Sequence, residues 1–69
     1  MSEAPSAVVV DARGLRCPWP VLRLARAMRD AGTVTILADD PAAPAEIAAL
    51  GRERGWSVSV IEGGFSVTA

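Results

Sequence analysis

Cys17, in the run Cys17-Pro18-Trp19-Pro20, is the one thiol of the chain and the residue whose setting points most directly to covalent chemistry. A proline ring nitrogen has no N–H to donate, so two prolines at this spacing fit a helix only inside its first turn. That reasoning puts Pro18 at the first helical position, Pro20 at the third and Cys17 at the N-cap. There the sulfur would face the free N–H groups at the positive end of the helix dipole, with Arg16 beside it and Arg13 close by. The expectation is a thiol that favours thiolate, with a pKa below the free value of about 8.5. The spacing is that of a dithiol redox motif with Pro20 where the second cysteine would stand, so an intramolecular dithiol cycle is not available. What remains is a single thiol able to accept a group and hand it on. Sulfane sulfur suits such a site. The thiolate attacks the outer sulfur of a donor persulfide, becomes Cys17–S–SH, and leaves when an acceptor thiolate attacks that outer sulfur. This exchange needs no base from the carrier. A structural cysteine buried at a helix start is the plainer alternative.

The rest of the composition narrows the chemistry. With no histidine and a single cysteine, the chain has no ligand set for zinc and no imidazole for acid–base work, and neither a metal nor a cofactor is expected. A lone cysteine cannot form an intrachain disulfide, which points to a reducing compartment and a cytoplasmic location. Before Gly14 there is Glu3 rather than a basic region, and the apolar run Ala7-Val8-Val9-Val10 is too short for a signal or membrane segment.

The net charge of -1 argues against general nucleic-acid binding. Locally the balance differs. Arg13, Arg16, Arg23, Arg26 and Arg29 face only Asp11 and Asp30 between residues 11 and 30, whereas the stretch from 31 onward holds Arg52 and Arg54 against five acids. A basic face around the cysteine suits docking to an acidic protein partner, and an ordinary solvated helix face is the alternative.

Elements must position these residues, and 69 residues allow one small domain over residues 1–69, with 1–6 as a flexible lead-in. The β-branched run over 7–10 predicts a strand buried on both faces or at its centre. Val21, Leu24, Ala25 and Met28 recur at helical spacing and Gly32 stands as a C-cap, giving an amphipathic helix of about three turns. Residues 33–38 read as a second strand. A loop with Asp39, Asp40 and Pro41 follows, then a second helix with Pro44 in its first turn, Ile47 and Leu50 inward, and Gly55 as its stop. Residues 56–60 alternate apolar and polar, so that strand has one buried and one wet face; Glu62-Gly63-Gly64 turns the chain into a last strand over 65–68. The order β-α-β-α-β-β predicts a two-layer α/β sandwich, a four-stranded mixed sheet with two helices on one face. Gly14 serves loop geometry. Trp56, Leu15 and Leu24 read as core. Trp19, between the prolines, points outward as a docking residue or folds back to shield the sulfur. Asp39 and Asp40 emerge at the same sheet edge as Cys17, either closing the turn before the second helix or touching a partner.

The run from Asp11 to Val21 (DARGLRCPWPV), followed by Ala38-Asp39-Asp40-Pro41-Ala42, resembles the TusA family of sulfur-carrier proteins, also called SirA-like or YedF-like. The likeness extends over essentially the whole chain from Ala7 onward, and Gly-Leu-x-Cys-Pro-x-Pro is a specific signature. It implies the β-α-β-α-β-β two-layer fold and a persulfide on Cys17, with Gly14, Arg16, Pro18 and Pro20 around it. It also implies a cysteine desulfurase or rhodanese as donor and a downstream acceptor protein, on routes toward tRNA thiolation, molybdenum-cofactor metabolism or sulfur oxidation. The chain would be a sulfur relay protein rather than a stand-alone enzyme, monomeric when free. Arg13, Trp19, Arg23, Arg26, Asp39 and Asp40 are the candidate partner contacts. Two other classes stay open at this point: a non-catalytic regulatory or adaptor module binding through the arginine face, and a small redox protein forming mixed disulfides at Cys17.

Overall fold

The computed structural model describes residues 8–69, so the expected lead-in over 1–6 and Ala7 of the expected first strand lie outside the described residues. The elements run β1 (Val8–Asp11), α1 (Trp19–Met28), β2 (Thr33–Leu37), α2 (Ala43–Arg54), β3 (Ser57–Ile61) and β4 (Gly64–Thr68). They form one sheet in the order β1-β2-β4-β3, with β1 parallel to β2 and the other neighbours antiparallel. The mixed four-stranded sheet with two helices is the architecture expected from the element order.

Alternation along the central strands decides which face the helices cover. Val34 and Ile36 of β2 and Phe65 and Val67 of β4 are buried, and Leu24 and Met28 of α1 and Ala43 and Ile47 of α2 complete that core with Ala12. Full burial of Leu24, Ile36 and Ile47 stabilises the fold by about 1.5–3 kcal/mol each. On the other face, Val9, Thr35, Ser66 and Ser59 lie in register across all four strands, and of these only Thr35 and Ser66 are half-buried.

Several local expectations are corrected. The Val8-Val9-Val10 run is an edge strand and not a buried one, with Val9 62% exposed, because β1 pairs on one side only and its outer face has no second layer. β3 is the opposite edge: Val58 is half-buried, while Val60 is 80% exposed. Trp56 is half-buried, not plain core; it packs at the core margin with the Arg54 guanidinium 5.7 Å from its ring centroid. Leu15 likewise is half-buried against the core. Gly32 does not cap α1. The helix tightens at its end, with the N–H groups of Arg29 and Asp30 donating to the carbonyls of Arg26 and Ala27 at 3.2 Å, and Arg29 closes it in right-handed geometry. Gly55 does stop α2 as expected, in the left-handed region at φ 76°.

Candidate functional site

The loop from Ala12 to Pro18 joins the end of β1 to α1, and because β1 and β2 are parallel, the loop after β2 opens at the same end of the sheet. The two loops are tied together. The Ala12 N–H donates to the Leu37 carbonyl at 2.7 Å, and the Gly14 N–H donates to Asp39 Oδ1 at 2.9 Å. Gly14 holds φ at 82°, a region open to glycine at little cost, which is the loop role expected of it. Asp40 organises the next turn: its Oδ2 accepts from the Ala42 N–H at 3.1 Å and its carbonyl from the Ala43 N–H at 3.0 Å. Asp40 therefore closes the entry to α2, while Asp39 ties the loop after β2 to the cysteine loop.

The helix start differs from expectation by one residue. Pro18 is the cap residue of α1, Trp19 is the first helical residue, and Pro20 is the second and buried. Cys17 precedes the cap residue and its sulfur does not cap the helix; the Cys17–Pro18 peptide bond is cis. No side chain bonds to the first-turn N–H groups of α1. The Trp19 N–H instead donates to the Arg16 carbonyl at 2.8 Å, and the Leu22 N–H to the Pro18 carbonyl at 3.1 Å.

Cys17 is exposed, which removes the reading of a buried structural cysteine. Its Sγ–H donates to Glu46 Oε2, 2.6 Å away on α2. The expectation of a depressed pKa is thereby reversed. The hydrogen bond to Glu46 holds the proton on sulfur, and desolvation and the negative charges of Glu46 and Asp40 act in the same sense, so the thiol pKa is raised. Arg13 does not offset this. Its Nε and Nη2 grip the Asp11 carboxylate at 2.9 and 2.8 Å, which lowers the Asp11 pKa to about 2 and engages the guanidinium at the end of β1.

The remaining candidates gather elsewhere. Trp19 is 58% exposed and lines a groove of about 590 Å³ with Val10, Leu22, Arg23, Arg26 and Ala27, between α1 and the β1 edge. Cys17 is not part of that lining, which Trp19 shares with Arg23 and Arg26. Glu46 was not among the sequence candidates. The signal available for it was modest, an acid in the first turn of a helix that starts at the same sheet edge as Cys17. Among the described residues no helix is long and apolar enough to cross a membrane.

Comparison with known proteins bears on the family and the fold. The family described as Sulfurtransferase TusA matches residues 8–68. A "Putative sulfur carrier protein" of Archaeoglobus fulgidus is 45% identical over 56 residues, spanning 77% of this chain and 73% of that protein. The crystal structure of a SirA-like protein from Desulfitobacterium hafniense superposes with a TM-score of 0.75 at 28% identity, over 88% of this chain and 92% of the other. With its sheet, its exposed single thiol and a family match running nearly end to end, the chain belongs to the TusA family of sulfur carriers.

Proposed function

We propose that the chain accepts sulfane sulfur as a persulfide on Cys17 and relays it to an acceptor protein in the cytoplasm. The observation that carries this reading is the single exposed thiol held at the end of the sheet by the Gly14–Asp39 tie, within the Gly14-Leu15-Arg16-Cys17-Pro18-Trp19-Pro20 run. One thiol without a resolving partner can hold a sulfur atom and surrender it, but cannot close an internal disulfide. Pro18 and Pro20 set where the loop ends and α1 begins. A cysteine desulfurase or rhodanese serves as donor, and a second protein takes the sulfur on. Docking uses the groove beside the site: Trp19 and Leu22 offer apolar surface and Arg23 and Arg26 offer charge to an acidic partner. Asp40, whose charge acts on the thiol, Arg16, next to Cys17 in sequence, and Asp39, tied to the cysteine loop through Gly14, contact the same partners, and Arg13, engaged by Asp11, contributes least.

Incubation with a cysteine desulfurase, its cofactor and L-cysteine, followed by intact mass measurement, tests the reading. The expected product is the chain plus one sulfur atom, removed by reductant. An unchanged mass under conditions in which the desulfurase turns over would overturn it.

A further inference from the structure

A carboxylate 29 positions away in sequence meets the Cys17 sulfur: Glu46 Oε2 accepts a hydrogen bond from the thiol. Its second oxygen, Oε1, is shut off from solvent and has no hydrogen-bond partner among the described residues. A glutamate serving only to solvate a helix surface would turn both oxygens to water, since an unpaired buried carboxylate oxygen is costly. Here the carboxylate is instead aimed at the one nucleophile of the chain. The other charged groups around the sulfur are Asp40 on the loop before α2 and Arg16, which precedes Cys17 and is exposed.

We propose that Glu46 carries the Cys17 proton through sulfur transfer, an inference that rests on the persulfide reading of Cys17. As Sγ bonds to the outer sulfur of a donor persulfide R–S–SH, the donor S–S bond breaks and its electron pair stays on the inner sulfur. The Cys17 proton passes to Glu46 and from there to the departing R–S⁻. The products are Cys17–S–SH and R–SH: the Cys17 sulfur is oxidised, the donor's inner sulfur is reduced, and no other reagent is consumed. When an acceptor thiol takes the sulfur away, the same carboxylate takes the acceptor's proton and returns it to the Cys17 sulfur as that sulfur leaves. The carboxylate disfavours resting thiolate, so the shuttle provides during transfer what the free thiol withholds.

A comparison of two reagents at pH 7 on wild type, Glu46→Gln and Glu46→Asp separates a shuttle from a charge that only represses the thiolate. Iodoacetamide expels iodide, which takes no proton, so its rate follows the thiolate fraction. Glutathione persulfide expels a thiolate that must be protonated. Because the chain has one cysteine, every adduct reports on Cys17. In Glu46→Gln the alkylation rate is expected to rise, about tenfold for each unit by which the thiol pKa falls. Its sulfur loading is expected to slow by about 100-fold, within the usual range for general acid–base catalysis, and to become steeply dependent on pH. Glu46→Asp is expected to recover most of the loading. Loading that rises in step with alkylation, or a variant in which neither rate changes, would overturn the proposal. Wild type that is alkylated normally yet gains no sulfur would overturn the persulfide reading beneath it, a result distinct from both.

Discussion

α1 opens on Trp19 and Pro20, α2 on Ala43 and Pro44; each has a proline at its second helical position, and neither has a side chain capping its N–H groups. Their charges differ. The first turn of α1 holds no acid, whereas α2 carries Glu46 one turn in, and that carboxylate reaches across to the sulfur in front of α1. One helix start therefore positions the thiol and the other governs its proton. Packing of α1 and α2 on the same face of the sheet, through Leu24, Met28 and Ile47, keeps the two starts together. A thiol placed by one element and titrated by another can be altered in either respect alone, which makes the division open to test.

The largest effect belongs to the α1 side. Cys17→Ser is expected to fold as the wild type, since the side chain is exposed, and to lose sulfur loading completely, because a hydroxyl cannot form a persulfide. Loading that survives in the serine variant, read by intact mass, would place the site elsewhere.

The next effect reads the α2 side through pH. The raised Cys17 pKa means the folded state binds the thiol proton more tightly than the unfolded chain. The associated stability is fully present below the unfolded thiol value of about 8.5 and is lost as pH rises through the higher folded value. Thermal melts should therefore show wild type losing more stability than Cys17→Ser above pH 8.5, and parallel curves would contradict the Glu46 contact. A thiolate absorbance titration should have its midpoint above about 8.5 in wild type.

A smaller and more selective effect is expected on the groove. Reversing Arg23 and Arg26 to Glu should slow sulfur transfer from a protein donor at low salt and leave iodoacetamide alkylation of Cys17 unchanged, since neither arginine contributes to the thiol's shift. Raising salt toward 0.1 M and beyond should slow the wild type in the same way, as screening sets in at about 10 Å. Wild-type donor kinetics in the reversed variant would reduce this face to solvated surface. The smallest effect is Asp11→Asn. The Asp11–Arg13 pair is exposed on both sides and should leave the melting temperature at neutral pH within error. Its contribution is present above the ordinary aspartate value of about 3.9 and fades as pH falls toward about 2.

Much of this was legible because it depends on near neighbours in sequence. Two prolines without N–H groups locate the start of α1 to within one residue, the alternation over 65–68 marks the buried face of β4 whereas the same alternation over 56–60 overstates the burial of an edge strand, and Gly55 ends α2 for the reason glycine usually does. The acidity of Cys17 was not legible. Arg16 and Arg13 are near it in sequence and suggest thiolate, but Arg13 is taken up by Asp11 two residues before it, and the group that decides the matter arrives on another helix. The valine run of β1 misleads for a related reason. Residue type shows that it suits a strand, but its edge position follows from the order β1-β2-β4-β3, which is a property of the whole chain. Glu46 shows both limits at once: its place in the first turn of α2 reads as helix-dipole complement, and only the packing of α2 beside the cysteine loop makes it a partner of sulfur.

The central claim is that Cys17 holds a transferable sulfur atom, and cyanolysis of the loaded, isolated carrier tests it most directly. Cyanide attacks the outer sulfur of Cys17–S–SH, giving thiocyanate and the free thiol. The account predicts one thiocyanate for each loaded chain, with the carrier returning to its unloaded mass and accepting sulfur again. A carrier that yields no thiocyanate and releases an intact donor thiol on reduction would be a mixed disulfide, and would contradict the claim.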